Sequence, residues 1–357
     1  MVSLEKRTEA FARLGRVLDT VVNDENIDAD ILSVSDEGIR FLSKLIEDSH
    51  HYNGWFVMEN VEYMFNSIVR MLRKTNLEKW LSPYRYELEE KEKTNTVGVV
   101  MAGNLPLVGF HDFLSVLITG NRIVARLSGD DNKLLPAVTG LLFDIEPGFR
   151  DLVEFTETRL ENFDAIIATG SDNTSRYFEY YFGKYPNIIR RNRNGVAVLT
   201  GNETESDMEK LSEDIFLYFG LGCRNVSKLF VPEGYDFDNL LEVLGRNKKI
   251  IENHKYFNNY EYNKAIYLVN RTPHFDSGNL LLTEDFRFAS PVSVVYYEYY
   301  KDLNSVIETL KENREKIQCV VSGSENLENT VPFGKSQQPE LWDYADGVDT
   351  LKFLLSL

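Results

Sequence analysis

The chain is poor in the residues that build disulfide scaffolds and metal centres. Its 357 residues include only 2 cysteines and 5 histidines, and no cluster of His, Cys, Asp or Glu has the spacing of metal ligands. The two cysteines have unlike neighbours, because Cys223 follows glycines in a polar loop while Cys319 lies in the apolar run "KIQCVVSG". These features argue against a disulfide framework and for a reducing compartment, and we predict no metal site.

The chain also lacks a basic surplus and long apolar runs. Its 39 Lys and Arg against 56 Asp and Glu give a net charge of −17, so no cationic excess is available to neutralise nucleic-acid phosphates. No stretch approaches the ~20 apolar residues of a membrane span. The N-terminal "MVSLEKRTEAFARLGRVLD" has the periodicity of an amphipathic helix rather than a signal peptide, with Leu4, Phe11, Leu14 and Leu18 on one side. We expect a cytoplasmic protein with no nucleic-acid partner.

The residues that are present have the balance of a globular protein. Hydrophobic residues make up 43% and charged residues 27% of the chain, and this length is typical of two domains. Residues 1 to about 82 show helical periodicity. From about Thr96, and again from about Gly195, short Val- and Ile-rich segments alternate with longer amphipathic ones. This alternation predicts two α/β domains with parallel, doubly wound sheets.

The first candidate for chemistry is the loop in "FLYFGLGCRNVSKLFVP", residues 216–232. Cys223 follows Gly222, which permits close approach of a ligand, and precedes Arg224, whose positive charge would favour a thiolate. The loop lies just before an apolar segment that we predict to be a strand. On the loop alone, a catalytic nucleophile and a merely tolerated cysteine are both open.

Several segments in a fixed order resemble the acyl-CoA reductase branch of the aldehyde dehydrogenase superfamily, the LuxC-type fatty-acyl reductases. The resemblance runs from about Gly98 to the C-terminus. The segments that carry it are "AGNLPLVGFHDFLSVLITGN", "RIVARLSGDD", "ATGSDNTSRYF", "FGLGCRNVSKLFVP" and "WDYADGVDTLKFL".

The resemblance implies an aldehyde dehydrogenase-like α/β fold of two doubly wound α/β domains with a helical N-terminal region. We predict that residues 1–194 hold this helical region and a Rossmann-like NAD(P)-binding domain. Residues 195–332 are predicted to form the catalytic domain with Cys223, and residues 333–357 a tail that packs back between the domains.

The resemblance also assigns roles to residues of the first domain. Asn104 in "GNLP" matches the residue whose side-chain amide donates to the developing oxyanion; the alternative is an N-cap of a helix beginning near Pro106. Gly170 and Ser171 in "TGSDNTS" match the turn whose following helix N-terminus faces a cofactor pyrophosphate. Ser175 stands where many relatives have a second glycine.

The expected cofactor is NADPH, with NADH as the alternative. Arg126 in "VARLSGD" matches the position that binds cofactor ribose or phosphate in the superfamily, where Lys is more common. A planar guanidinium suits the adenosine 2′-phosphate of NADPH. A surface arginine without a ligand is the competing interpretation.

Two segments depart from the hydrolytic aldehyde dehydrogenases. Their Glu-Leu-Gly-Gly segment, whose Glu activates water, corresponds here to "IIRRNRNGVAV", which has no carboxylate. This loss fits a reductase that takes acyl groups from a thioester. The run Arg190, Arg191 and Arg193 is either a site that attracts CoA phosphates or a solvated loop. In "EDFRFASPV" neither Glu284 nor Arg287 matches the ribose-binding Glu of relatives one to one.

The resemblance therefore implies NADPH-dependent reduction of a fatty acyl-CoA, or another activated acyl donor, to an aldehyde through an acyl thioester on Cys223. The expected partners are acyl-CoA or an acyl-protein thioester, an acyl-transferring or acyl-activating enzyme, and further copies of the chain in a homo-oligomer. Two alternatives stay open: a reductase of acyl phosphates with the same cysteine chemistry, and a non-catalytic scaffold that binds an acyltransferase.

Overall fold

The computed structural model describes residues 2–23 and 34–357. Residues 24–33, which the predicted helical region includes, lie outside the described residues. The chain divides into two compact units, the first of Met1–Arg191 with Glu340–Leu357 and the second of Asn192–Pro339. The division between the units falls near the predicted boundary at residue 194. It also splits the predicted tail, because only Glu340–Leu357 belongs to the first unit.

The described residues form helices and strands that we number in chain order. The helices are α1 (Leu4–Asn23), α2 (Asp36–Glu47), α3 (Ser49–Tyr52), α4 (Met58–Met71), α5 (Lys74–Leu81), α6 (Arg85–Glu90), α7 (Phe110–Ile118), α8 (Leu134–Ile145), α9 (Asp172–Phe182), α10 (Glu205–Phe216), α11 (Asp238–Gly245), α12 (His254–Asn270), α13 (Leu303–Glu312) and α14 (Thr350–Leu355). The strands are β1 (Thr96–Val100), β2 (Arg122–Arg126), β3 (Val153–Thr156), β4 (Ala165–Thr169), β5 (Asn187–Arg190), β6 (Asn194–Val198), β7 (Val226–Pro232), β8 (Phe275–Asp276), β9 (Leu281–Glu284), β10 (Val294–Tyr300) and β11 (Ile317–Val321). Short 3-10 helices are Ser82–Tyr84, Pro147–Leu152, Leu217–Gly220, Lys248–Glu252, Arg314–Lys316 and Ala345–Gly347.

The first unit is built on a parallel sheet with the strand order β3-β2-β1-β4-β5. Alternate residues of each strand point to opposite faces. Val97 and Val99 of β1 join a core with the N-terminal helices, α7 and α8. Val124 of β2 and Ile166 of β4 join a second core with Phe178 of α9. Helices therefore cover both faces, as in the doubly wound sheet that the sequence predicts.

The N-terminal helices belong to the same core as the sheet. Phe11, Leu14 and Leu18 of α1 are fully buried, which confirms the predicted apolar face of this helix. Arg7 lies among these apolar residues, and its Nε donates to the Ile118 carbonyl at the end of α7 (2.9 Å). None of the described helices combines the length and apolarity that a membrane crossing requires.

The C-terminal segment completes the first unit. Leu351 and Leu354 of α14 are fully buried in the core that contains the N-terminal helices. Trp80 Nε1 donates to the Tyr344 hydroxyl (2.9 Å), and the Tyr84 hydroxyl donates to Asp349 (2.5 Å). A segment from the end of the chain is thus fastened to helices near its beginning.

The second unit has a sheet with the order β11-β6-β7-β10-β9-β8, in which only β8 pairs antiparallel among the described strands. Val196, Val198 and Phe230 pack with Val306 of α13 on one side of this sheet. The helix α10 begins with a capping box, since the Thr204 side chain accepts from the Asp207 amide and the Asp207 carboxylate accepts from the Thr204 amide. Its other end leads into the Cys223 loop.

Candidate active site

The predicted site residues of the first unit share one edge of its sheet. Asn104 follows β1, Arg126 is the last residue of β2, and Gly170 and Ser171 follow β4. These three strands are neighbours and parallel, so their carboxyl ends meet at the same edge. In open parallel sheets, ligands bind outside this edge, which makes it the candidate cofactor site.

Asn104 is exposed on a turn between β1 and α7, and it does not cap a helix. The helix that we predicted to begin near Pro106 begins at Phe110, with Gly109 at the N-cap position. Leu107 has a φ of 52°, a left-handed conformation that interrupts a helix. The capping alternative for Asn104 is therefore wrong, since the residue lies well before the first helical turn.

The turn that carries Asn104 is held by a buried carboxylate. The Leu107 amide donates to Asp131 Oδ2 (2.7 Å), and Asp131 is 7% exposed. Burial raises the pKa of Asp131 to about 6, against the opposing effect of its backbone hydrogen bonds. On the other side of Asn104, a Cβ on Gly103 would collide with the Ser128 side chain. The segment 128–131 thus determines the path of this turn.

The turn after β4 has the form of a phosphate-binding helix N-terminus. The Ser171 hydroxyl accepts from the Thr174 amide (3.3 Å) and caps α9. A Cβ on Gly170 would come within 2.9 Å of Phe178, so the backbone lies close against this helix. Ser175 is buried in the first turns of this helix. The helix N-terminus and the exposed Arg126 fit the pyrophosphate and phosphate of a dinucleotide.

The two cysteines differ in the structure as their neighbours in the sequence predict. Neither forms a disulfide, and Cys223 is exposed whereas Cys319 is buried. Burial raises the pKa of Cys319 to about 11, while the charge of Arg224 acts in the opposite direction. The Cys319 thiol donates to the Arg224 carbonyl (3.7 Å). Cys223 is therefore the thiol that an electrophile in solution reaches.

Cys223 lies in a tight turn immediately before β7. The Asn225 amide donates to the Gly222 carbonyl (3.0 Å) and closes the turn around Cys223 and Arg224. The Arg224 Nε donates to the Ser336 carbonyl, and the buried Asp214 carboxylate accepts from the Ser336 amide (2.9 Å). The guanidinium that we predicted to favour the Cys223 thiolate is thus fastened to the segment around residue 336.

The arginine run does not form a phosphate site as a group. Arg190 is buried, and its Nη1 and Nη2 donate to the two carboxylate oxygens of Asp112 at 2.5 and 2.8 Å. A bidentate buried pair of this kind leaves no free charge for a CoA phosphate. Arg191 pairs with Glu179 (2.5 Å). The hypothesis that Arg190 attracts CoA is therefore wrong, because its function is to fasten β5 to α7.

His111 provides no general base. Its ring is partly buried and contacts Trp80 and Tyr344, and Nε2 donates to the Leu341 carbonyl (3.0 Å). Burial lowers the pKa of His111, so the imidazole is neutral and its Nε2 carries the proton. The residue packs the C-terminal segment against α7.

Comparisons with known proteins by sequence find no relative: no family model matches the chain, and no curated protein matches it. Comparison with solved structures does find similar proteins. Aldehyde dehydrogenase 21 from Physcomitrella patens, in complex with the reaction product succinate, has a TM-score of 0.64 over 97% of this chain and 84% of its own, at 12% identity. An aldehyde dehydrogenase from Bacillus cereus, in complex with NAD+, has a TM-score of 0.61 over 92% and 73%, at 13% identity. Proline utilization A from Corynebacterium freiburgense has 0.62 over 90% of this chain but 37% of that longer protein, at 12% identity.

The chain has the aldehyde dehydrogenase fold. The predicted fold class is confirmed, since solved structures similar to this chain include two aldehyde dehydrogenases. At these identities the likeness shows the fold alone, so the chemistry has to be argued from the residues of this chain.

Two residues of β7 that sequence reasoning missed support the segment before β10 of this aldehyde dehydrogenase fold. The Ser227 hydroxyl donates to the Phe288 carbonyl (2.7 Å). Lys228 is fully buried, donates to the Asp285 carbonyl, and pairs with Glu298 (2.7 Å). Burial lowers the pKa of Lys228. The signal in the sequence was a lysine within the apolar strand "SKLFVP", together with a glutamate in "VVYYEYY".

A small cavity adjoins the segments that flank the Cys223 turn. Its volume is about 20 Å³, and its lining includes Phe219, Tyr256 and Leu280. This volume admits about one water molecule. This cavity is therefore too small to hold a long acyl chain.

Proposed function

We propose that this chain is a LuxC-type acyl-CoA reductase, which reduces an acyl thioester to an aldehyde with NADPH. The observation that carries the proposal is the exposed Cys223 thiol, in a tight turn at the start of β7, within an aldehyde dehydrogenase fold. A scaffold has no need of such a thiol, whereas covalent catalysis requires one.

The first half-reaction is acyl transfer to sulfur. The Cys223 thiolate attacks the thioester carbonyl, a new C–S bond forms, and the CoA thiolate leaves when the tetrahedral species collapses. We assign the Asn104 side-chain amide and the Cys223 backbone N–H as the donors to the oxyanion. Sulfur suits this step because it is both a strong nucleophile and a good leaving group.

The second half-reaction reduces the acyl group. When bound, NADPH supplies a hydride for the acyl carbon. The residues proposed to hold it are Arg126 at the 2′-phosphate, and Gly170 and Ser171 at the pyrophosphate, where their turn leads into the N-terminus of α9. Asn104 again stabilises the oxyanion, and the C–S bond to Cys223 then breaks to release the aldehyde.

The absence of a water-activating carboxylate favours reduction over hydrolysis. Residues 187–194 read "NIIRRNRN" and contain no Asp or Glu. Arg190 within this stretch is neutralised by Asp112. An acyl group on Cys223 therefore has no general base here to direct water at it, and we infer that it waits for a hydride.

The proposal is tested by intact-protein mass spectrometry after incubation with a panel of acyl-CoAs of increasing chain length without cofactor. We expect an acyl adduct on Cys223 that persists until NADPH is added and then leaves as aldehyde. Loss of the adduct as free acid without NADPH would overturn the reductase assignment in favour of a thioesterase or an ordinary aldehyde dehydrogenase. No adduct with any donor would favour the scaffold alternative.

A second candidate is a reductase of an acyl phosphate that uses the same thiol, because the exposed Cys223 can accept an acyl group from either donor. The panel therefore includes a short-chain acyl phosphate, with release of inorganic phosphate as the readout. Adduct formation with acyl phosphate but not with acyl-CoA would select this candidate. As partners we propose acyl-protein thioesters and an acyl-transferring or acyl-activating enzyme. We also propose that the chain forms a homo-oligomer.

A further inference from the structure

The segment before Cys223 has an unusual backbone. Tyr218 and Phe219 have φ values of 55° and 59°, and Gly220 follows with 74°. Left-handed backbone is disfavoured for residues with a side chain, and two large aromatic residues in succession are rare there. Both rings are buried. Something outside this segment has to hold it in place, because its own conformational preference is different.

The side chain of Asn225 provides that restraint. Its Nδ2 donates to the carbonyls of Leu217 (2.8 Å) and Asp214 (3.0 Å), with a longer contact to Ile215 (3.4 Å). Its Oδ1 accepts from the Gly222 amide (2.8 Å). Asn225 is 2% exposed. One buried amide therefore connects the end of α10, the start of the left-handed segment and the turn around Cys223.

The two ends of the amide serve different groups, and few other side chains could replace it. Carbonyls at the end of a helix need donors, and the Gly222 amide needs an acceptor. Aspartate would keep the acceptor and lose both donors. Leucine would fill the same space and leave the carbonyls of Asp214 and Leu217 without this donor.

We propose that Asn225 is the positioning residue for Cys223, acting through the turn rather than by contact with substrate. The inference rests on the proposed function, because it takes Cys223 as the nucleophile. A turn without this restraint relaxes towards ordinary backbone conformations, and the thiol then samples many orientations. The loss falls on the rate of acyl transfer more than on the binding of the acyl donor.

The second unit contains a matched control. Asn279 is also 2% exposed, and its Nδ2 donates to the carbonyls of Leu244 (2.8 Å), near the end of α11, and of Asn247 (2.9 Å), just after it. Its Oδ1 accepts from the Ser277 hydroxyl (2.7 Å). Asn279 thus performs the same structural task at another helix end. Replacing it removes comparable hydrogen bonds without touching the Cys223 turn.

The experiment compares Asn225→Ala with Asn279→Ala in two assays on the full chain. The first is single-turnover acylation of Cys223 by the acyl-CoA found best for the wild type. The second is alkylation by iodoacetamide at a series of pH values, in which the thiolate sulfur forms a bond to carbon and iodide leaves. Peptide mass spectrometry reads Cys223 and the buried Cys319 separately, so rapid alkylation of Cys319 reports unfolding.

For Asn225→Ala we expect acylation to slow on the order of 10²-fold, with little change in the half-saturating acyl-CoA concentration. We also expect the rate of Cys223 alkylation to differ from that of the wild type, because the relaxed turn no longer holds the thiol in one orientation. Asn279→Ala should match the wild type in both assays. Equal behaviour of the two variants would overturn the inference.

A milder variant covers the case in which Asn225→Ala does not fold. Asn225→Ser keeps an oxygen for the Gly222 amide and has one donor for the helix carbonyls, so we expect values between those of the wild type and the alanine variant. Wild-type values for the serine variant would overturn the inference. Failure of the proposed function looks different: the wild type would show no acyl adduct, while the difference in alkylation between the two alanine variants would still be present.

Discussion

The turn that carries Asn104 and the turn that carries Cys223 meet the same local problem with different chemistry. The first turn contains the left-handed Leu107, and the segment just before the second contains the left-handed Tyr218 and Phe219. Each is held by one buried polar side chain, Asp131 in the first unit and Asn225 in the second. The two turns differ in which backbone groups need a hydrogen-bond partner.

In the Asn104 turn the group that needs a partner is the Leu107 amide, so an acceptor is sufficient, and the Asp131 carboxylate supplies it. The Cys223 turn offers helix carbonyls and an amide together, so it needs a group that both donates and accepts. A carboxylate titrates and an amide does not. We therefore expect pH to change the stability of the Asn104 turn, which Asp131 holds, but not that of the Cys223 turn, which Asn225 holds.

The largest expected effect comes from removing the proposed nucleophile. Cys223→Ser should abolish both the acyl adduct and aldehyde formation, because a serine hydroxyl without a general base attacks a thioester poorly. Intact mass and an NADPH-oxidation assay measure the two activities.

The control for this prediction is Cys319→Ser. Its hydroxyl can donate to the Arg224 carbonyl as the buried thiol does, so both activities should be largely retained. Equal loss from the two substitutions would indicate damage to the fold of the second unit rather than loss of chemistry.

The next largest effect tests the other turn. Asn104→Ala should slow acylation and reduction together, each on the order of 10²–10³-fold, since an oxyanion develops in both half-reactions. Single-turnover acylation and the NADPH-dependent loss of the adduct separate the two rates.

Asn132→Ala is the matched control, because it removes an amide that donates to Glu157 (3.0 Å) beside Asp131 without removing the proposed oxyanion donor. Similar rates for the two variants would mean that Asn104 acts by supporting the turn. A loss confined to one half-reaction would contradict the assignment of Asn104 to both.

Asp131→Asn tests the titration that distinguishes the two turns. Burial raises the pKa of Asp131 to about 6 from its usual 3.8. Because the folded-state pKa is raised, the bound proton stabilises the fold fully below about pH 4, and this stabilisation is lost as the pH rises through about 6. We expect the free energy of unfolding of the wild type, relative to the variant, to fall by up to about 3 kcal/mol over this range.

Urea unfolding at several pH values, followed by tryptophan fluorescence, measures this difference. Asn279→Ala provides the reference, because the amide that it removes does not titrate and its difference from the wild type should not depend on this ionisation. Parallel pH curves for the wild type and Asp131→Asn would show that the Asn104 turn is not pH-sensitive through this group.

The smallest expected effect concerns the cofactor. Arg126→Ala should lower the preference for NADPH over NADH about tenfold, the value of one exposed hydrogen bond to a charged group. Steady-state kinetics with both cofactors gives the ratio. Arg122→Ala is the matched control at the other end of β2, where the arginine pairs with Glu154 (2.6 Å). An unchanged ratio for Arg126→Ala would remove Arg126 from the cofactor site.

Much of the fold could be predicted from the sequence, because its signals are local. The alternation of apolar strands and amphipathic helices predicted the two parallel sheets, and Phe11, Leu14 and Leu18 predicted the buried face of α1. The start of α7 was predicted too early, since nothing in "NLPLVGF" shows that the Leu107 amide bonds to Asp131. The turn remains outside the helix because of a partner that lies later in the chain.

By itself the sequence determined which thiol is exposed. Gly222 and Arg224 around Cys223 exclude the apolar packing that Val320 and Val321 give Cys319, and burial of a thiol depends mainly on such neighbours. The sequence also shows by itself that residues 187–194 contain no carboxylate, because the identity of a residue does not depend on the fold.

Only the tertiary structure decided how the charged and strained residues are used. The partner of Arg190 is Asp112, and that of Arg224 is the Ser336 carbonyl, each far away along the chain. Local preference opposes the left-handed Phe219, whose burial and the hydrogen bond of Asn225 to the nearby Leu217 carbonyl help to maintain it. Ion pairs and strained turns depend on groups that folding brings together, so their outcome cannot be read from neighbours in the sequence.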